Sequence, residues 1–377
     1  MRIDSRVVHG AQGGDAATGA VSTPIYQSAT FRHPALGEST GYSYSRLQNP
    51  TREELEHTMA LLEGGRHGLA FASGMAAITT VLKLFAPGDH ILISDDLYGG
   101  TYRLFEQIYG PYGIQYEFVD TTDAQQVRSR LRPHTRALLI ETPSNPMMKV
   151  SDIAALAALA HGAGALAIVD NTFLTPYLQR PLSLGADIVV HSGTKYLGGH
   201  NDTLAGFAVT GDDAVAERLQ LIQKTEGAML APFDSWLILR GIKTLALRME
   251  RHQHNAGEVA RWLSRHPKVE QVWYVGLPEH PGYELNRRQA SGGGGMLSFA
   301  LRDAAAVAPL LSRLRMVQFA ESLGGVESLI TFPIEQTHNY LPPDVLQRLG
   351  ITNRLLRLSV GVEDVQDILE DLGQALD

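Results

Sequence analysis

The sequence predicts an α/β protein in which a mostly parallel β-sheet carries helices on both faces and a smaller α+β domain follows. Two patterns and the chain length predict it. Between residues 67 and 192, short apolar runs alternate with helical periodicity, the order expected of parallel strands joined by crossover helices. After Phe233 the texture changes to a long helical stretch followed by three strand-like runs. At 377 residues the chain exceeds one typical domain of about 150. Its 44% hydrophobic and 19% charged residues are those of a globular protein with a sizeable core. Residues 1–45 read as an extended arm contacting a neighbouring subunit, 46–235 as a large domain and 236–377 as a C-terminal domain.

The Gly-, Ser-, Thr- and Pro-rich start has little periodicity. TREELEHTMALLEGG predicts a helix capped by Thr51, with Glu in its first turn and a stop at Gly64 and Gly65. HGLAFAS is a strand ending in a small-residue turn at Ser73 and Gly74, and MAAITTVLKLF is the helix after it. HILISDD, IQYEFVD, ALLIET, LAIVDNT and ADIVVHS are further strands; TYRLFEQIYGPYG, DAQQVRSRLR and SDIAALAALAHGAG are helices between them. WLILRGIKTLALRMERHQHNAGEVARWLSRH reads as one very long helix or two in sequence. VEQVWYVG, GMLSFAL and LLRLSVGV read as strands of the second domain. In such a sheet, function is expected at the carboxyl ends of the strands.

Composition excludes several classes. Lys and Arg total 32 against 40 Asp and Glu, and the formal charge of −8 disfavours non-specific binding to nucleic acid or anionic membrane. Without a single Cys there is no disulfide, thiolate metal site or cysteine nucleophile. MRIDSRVVHGAQGG lacks the apolar core of a signal peptide, and no run approaches the ~18 apolar residues of a membrane span, so a cytoplasmic protein is expected. HGAGALAIVD holds Gly162, Gly164 and Ala167 in dinucleotide-fingerprint spacing, but it follows a helix and opens a strand, the reverse of the required context. His252 and His254 in HQHN point to different helix faces and no HExxH occurs, so no metal site is expected.

LAIVDNT and the later ADIVVHSGTKYLGGHND carry the chemistry. Asp170 closes one strand, and Lys195 follows the end of the next, beside Ser192 and Thr194. A lysine after a strand is by itself an ordinary surface residue. The combination meets the demands of pyridoxal phosphate (PLP): a lysine for covalent attachment, a carboxylate to keep the pyridine nitrogen protonated, and hydroxyls plus helix N-terminal amides for the phosphate. Ser73, Gly74 and Met75 open a helix and offer such amides, although a tight strand-to-helix turn calls for glycine in any case. Tyr98 in DDLYGGTYR stands at another strand end, where its ring could stack on the pyridine.

YSRLQNPTR (44–52), ASGMAA (72–77), DDLYGGTYR (95–103), ETPSNP (141–146), DNTF (170–173), HSGTKYLGGHND (191–202), ESLGGVESLI (321–330) and RLSVGVED (357–364) together resemble the Cys/Met-metabolism family of PLP enzymes. The resemblance runs from the arm to the last helix. It implies the aspartate aminotransferase-like fold of PLP-dependent transferases, amino-acid substrates, and a homotetramer of two dimers with shared active sites. By that resemblance Lys195 carries the cofactor and moves protons, Asp170 pairs with the pyridine nitrogen and Tyr98 stacks on the ring. Gly74, Met75, Ser192 and Thr194 hold the phosphate, joined by Tyr44 and Arg46 from the neighbouring subunit. Asn145 lies near the cofactor's phenolic oxygen and the substrate carboxylate, which Arg357 binds with help from Ser322.

Methionine γ-lyases typically carry cysteine where this chain has Gly100, which takes weight from that subtype. Glu321 precedes SLG, where a carboxylate could receive the second ammonium of cystathionine or of an incoming cysteine; a Glu simply exposed to water is the plain alternative. GESTGYSYSRLQNPTR, PFDSWLILRGIKTLALRM, GGGGMLSF and FAESLGGVESLITFP look most like the cystathionine γ-synthases that also act as O-acetylhomoserine thiolyases. The expected reaction is γ-replacement on an O-acylhomoserine with L-cysteine, in methionine biosynthesis or transsulfuration, with sulfide as a second nucleophile. A cystathionine γ- or β-lyase running elimination in the same site is the rival expectation. A catalytically inactive PLP-fold binding protein is a third, and the set Lys195, Asp170, Tyr98 and Arg357 argues against it.

Overall fold

The computed structural model describes residues 1–11, 15 and 17–377; four positions of the expected arm, 12–14 and 16, lie outside the described residues. The larger sheet is built from β1 (His67–Phe71), β2 (His90–Ser94), β3 (Gln115–Val119), β4 (Thr135–Glu141), β5 (Leu166–Asp170), β6 (Ile188–Ser192) and β7 (Gly206–Thr210), in the order β1-β7-β6-β5-β4-β2-β3. Five of these, β2 to β6, pair in parallel, whereas β7 runs antiparallel to both β1 and β6. Alternation along the strands explains why helices cover both faces. Ile91, Ile93, Leu139, Ile168 and Val190 pack on one face with Ala77, Ile78 and Val81 of helix Gly74–Leu82. Leu92, Leu138, Ile140, Val169 and Val189 pack on the other with Ile153, Leu156 and Ala160 of helix Ile153–Gly162.

The second sheet follows with β8 (Val269–Trp273), β9 (Met296–Leu301), β10 (Gln318–Phe319), β11 (Leu329–Thr331) and β12 (Leu355–Ser359), in the order β10-β11-β12-β9-β8. Helices Leu245–Arg265 and Val365–Leu376 bury Val259, Leu263, Ile368 and Leu372 against it. A further core joins Leu55, Leu174 and Met249 to Val275, Met296 and Leu323, so the elements carrying the two sheets share packed apolar surface. The α/β architecture expected from the alternation is the one observed.

Several local readings change. The helix expected from Thr51 begins at Pro50 and is capped by Asn49, whose side chain accepts from the backbone N–H groups of Thr51 and Arg52. Pro at the first helical position has no N–H to lose there, and Asn49 outcompetes Thr51 as the cap. The start of the arm is not extended throughout: Ile3–His9 is helical, with Val7 buried in the core that contains Leu55 and Met59. The helix after Tyr98 widens into a π-helical turn at Phe105–Tyr109. The long stretch after Phe233 is two helices, Pro232–Ile242 and Leu245–Arg265. Strand β7 was not expected from its own sequence. It presses on the start of helix Gly74–Leu82 so closely that a Cβ at Gly206 would lie 2.0 Å from the Ser73 carbonyl oxygen. Among the described residues, no helix is long and apolar enough to cross a membrane.

Asn49 is fully buried, and its amide also donates to Tyr26 O (2.9 Å) and Ser45 Oγ (2.9 Å), tying the arm to the helix it caps. Asn49→Ala is expected to cost about 1–2 kcal/mol, by loss of the cap. A lowered urea midpoint checks this, and a midpoint equal to the parent's contradicts it.

Candidate active site

The carboxyl ends of β4, β5 and β6 meet side by side. Pairing sets Glu141 beside Asp170 and Asp170 beside Val190, and the chain leaving β6 at Ser192 turns back through Lys195. A cavity of about 270 Å³ opens at this edge. Four of the residues singled out by sequence line its sheet side: Asp170, Ser192, Thr194 and Lys195. Gly74, Met75, Tyr98 and Asn145 also line it, reaching it from three other connections.

Asp170 forms a turn on itself at the end of β5. Its carboxylate accepts from Thr172 N (2.9 Å) and Thr172 Oγ1 (2.6 Å), and the same hydroxyl accepts from Ser192 N (2.9 Å). The ends of β5 and β6 are thereby locked to each other. Burial raises the Asp170 pKa above the ordinary carboxylate value, opposed by the Thr172 bonds and by His191. A partly buried carboxylate in this state gains most by facing a cation.

Lys195 donates from Nζ to Ser322 Oγ (2.8 Å). Burial of the amine, reinforced by the charge of Arg357 and opposed by Glu321, pulls its pKa down to about 8. Ser73 caps helix Gly74–Leu82 by accepting from Ala76 N (3.1 Å), which leaves the first N–H groups of that helix facing the cavity. Glycine is required at position 74, where a Cβ would come within 2.9 Å of Ser192 Cβ. Thr194 is held against the start of β7, accepting from Ala205 N (3.1 Å).

Behind Asn145 lies Arg357, buried at 2% exposure on β12. Its Nη1 donates to Asn145 Oδ1 (2.9 Å), and its Nη2 to Ser322 O (3.0 Å) and Thr331 Oγ1 (3.1 Å). Nε is buried without a hydrogen-bond partner, an unmet donor suited to a carboxylate. Burial brings the guanidinium pKa down to about 10. Ser322 has φ 92°, an uncommon conformation for a residue with a Cβ, and in it bridges Lys195 and Arg357.

Besides Arg357 and Ser322, three expected residues do not line the cavity of their own chain. Glu321 is exposed, although its charge acts on both Lys195 and Arg357. Tyr44 and Arg46 are exposed, with the Arg46 guanidinium 5.4 Å from the Tyr44 ring centre and its Nη1 donating to Lys224 O (2.5 Å). The cavity also includes residues to which sequence reasoning assigned no role: Thr172, Glu141, Phe173, Leu204 and Leu323. Asp-x-Thr at a strand end signals the turn that engages Thr172. Glu141 follows the apolar run ALLI as Asp170 follows LAIV, and that parallel was available in the sequence.

The pattern described as the Cys/Met metabolism PLP-dependent enzyme family matches residues 4–377. The chain belongs to this family. It is 50% identical to the cystathionine gamma-lyase of Bacillus subtilis (strain 168) over 377 residues, covering all of both chains. It is 49% identical to a cystathionine beta-lyase of Lactococcus lactis subsp. cremoris (strain MG1363), with 100% of this chain and 99% of the relative covered. Among solved structures, the cystathionine gamma synthase of Xanthomonas oryzae pv. oryzae in complex with cystathionine superposes with a TM-score of 0.97 at 40% identity, over 100% of this chain and 98% of that one. The fold is that of the family, and its cofactor is PLP. The residues present fit that group: a depressed lysine, a carboxylate in want of a cation, and free helix N-terminal amides beside two hydroxyls share one cavity.

Because the Lys195 amine loses its proton near pH 8, competitive acylation of cofactor-free protein followed by mass spectrometry should give a labelling midpoint near pH 8 at Lys195. A midpoint in the ordinary lysine range, about 10.4, contradicts the burial argument.

Proposed function

We propose that the protein replaces the acyl group of an O-acylhomoserine with L-cysteine, forming L-cystathionine and the free acid. The observation that carries this reading is Glu321, an exposed carboxylate next to Ser322 whose charge reaches Lys195 and Arg357. Its position supports a site with two ends: Arg357 for one substrate's carboxylate, and Glu321 for the ammonium of the incoming cysteine. Sulfide, lacking that ammonium, serves as a second nucleophile that does not use Glu321.

In this reading Lys195 would hold PLP covalently, Asp170 would pair with its pyridine nitrogen, Tyr98 would stack on its ring, and Gly74, Met75, Ser192 and Thr194 would take the phosphate. When bound, the cofactor withdraws electrons from the substrate's α-carbon. Lys195, with a pKa of about 8, takes the α-proton as a neutral amine and later returns it. The Ser322 hydroxyl, within hydrogen-bond reach of Nζ, aims that amine. Arg357 and Asn145, already bonded to each other, orient the substrate carboxylate. The substrate loses its α-proton, a β-proton and then the acyl group as a carboxylate. The cysteine thiol gives up its proton, which balances the departing carboxylate as the free acid, its sulfur bonds to the γ-carbon, and protons return to both carbons. Phe173 and Leu323 supply apolar wall that limits water around the reacting carbons.

Tyr44 and Arg46 complete the phosphate site of a neighbouring subunit in this reading, with two such dimers forming a tetramer. Their exposure, together with that of Val21 (88%) and Leu36 (106%) in the same arm, supports the arm as an intersubunit element. Elimination from cystathionine is the second reading, favoured by relatives named gamma-lyase and beta-lyase at 50% and 49% identity.

Steady-state assays separate the two. Purified holoenzyme should turn over at least one of O-acetyl-, O-succinyl- or O-phosphohomoserine in the presence of cysteine. Glu321→Ala should raise the KM for cysteine by about tenfold, as for a lost charge-assisted contact, with little effect on the KM for the ester. Cystathionine cleavage without turnover of any ester overturns the synthase reading. Equal losses toward ester and cysteine remove the assigned role of Glu321.

A further inference from the structure

Glu141 is the carboxylate in the cavity to which none of these steps assigns work. It ends β4 beside Asp170 on β5, and paired residues on adjacent strands project to the same face, roughly 4.8 Å apart. Both residues line one cavity, where two neighbouring carboxylates resist ionising together. Their surroundings differ. Asp170 accepts from two donors of Thr172, whereas Glu141 accepts, among the described residues, from Tyr98 N (2.8 Å). Asp170 therefore has more donors to hold a negative charge than Glu141 has.

We infer that Glu141 is a positioning residue that works as a neutral carboxylic acid, tying down the backbone of Tyr98 and leaving the negative charge beside it on Asp170. The inference rests on the reading that Tyr98 and Asp170 face the bound cofactor. The groups acting on Glu141 support it. Burial raises its pKa well above the ordinary value, and Asp170 and Asp96 raise it further, against the Tyr98 bond and the Arg357 charge. Tyr340, whose hydroxyl is buried without a partner, also lies within its field, and Lys195 lines the same cavity. The Tyr98 N–H precedes Gly99 and Gly100 at the start of helix Gly99–Leu104, so a carboxyl that grips it fixes where the Tyr98 ring leaves the chain.

The test compares holoenzyme variants Glu141→Gln and Glu141→Ala by pH–rate profile and by the visible band of the cofactor. A glutamine is neutral and offers an oxygen to Tyr98 N, so it should rescue what alanine loses. Glu141→Ala is expected to lower kcat/KM by about 10- to 100-fold and to displace the visible band. Glu141→Gln should stay within about fivefold of the parent, with the apparent pKa values of its profile and its band in place. A glutamine variant as impaired as alanine, or one whose profile moves by a full pH unit, overturns the inference. So does an alanine variant indistinguishable from the parent. If Glu141→Ala does not fold, the glutamine profile alone decides. Failure of the underlying reading shows elsewhere, as a visible band that survives Lys195→Ala.

Discussion

Parallel pairing of β4, β5 and β6 is the constraint on which the rest of the molecule depends. A parallel sheet places all its carboxyl ends on one edge, and the register here sets Glu141, Asp170 and Val190 abreast, two residues before Ser192. A slip of one residue in that ladder would turn Asp170 toward the opposite face of the sheet, where Val169 and Val189 are packed. The apolar alternation that buries Ile168 on one side and Val169 on the other therefore also aims the carboxylate. Thr172 then closes the edge by bonding to both Asp170 and Ser192.

Electrostatics at that edge follow from burial more than from pairing. Lys195, Asp170 and Arg357 are each shifted first by desolvation, and each in the direction of the uncharged form. The groups are held short of full compensation: Arg357 keeps an unpartnered Nε, and Lys195 has a hydroxyl in place of a carboxylate as its nearest acceptor. Such a site gains stability when a ligand bearing complementary charge enters, which is the behaviour expected of a cofactor-dependent enzyme. The folded chain stores unmet interactions where the chemistry needs them.

The strands and helices around this edge were legible in the sequence because each carries its signal locally. LAIVD and ADIVVHS are short apolar runs ended by turn residues, and ASGMAA announces a strand-to-helix turn. Strand β7 was not, because GFAVT taken alone shows no strong alternation, and its antiparallel pairing, with β6 just before it and β1 far earlier in the chain, departs from the parallel pattern around it. The helix start moved from Thr51 to Asn49 because the better cap lies two residues earlier, before a proline. Nine cavity residues were found from motifs, but Glu141 and Thr172 were passed over inside motifs already quoted, since their neighbours in space come from other strands. Glu321 was singled out for its charge, yet the reach of that charge to Lys195 is a fact of folding rather than of spacing.

The central claim is that this sheet edge forms one cofactor site with Lys195 as its covalent anchor. Borohydride reduction of the purified holoenzyme, followed by proteolysis and mass spectrometry, tests it most directly. The account predicts the reduced phosphopyridoxyl group on Lys195, in the segment that joins β6 to β7. Recovery of that group on any other lysine, with Lys195 unmodified, would contradict it.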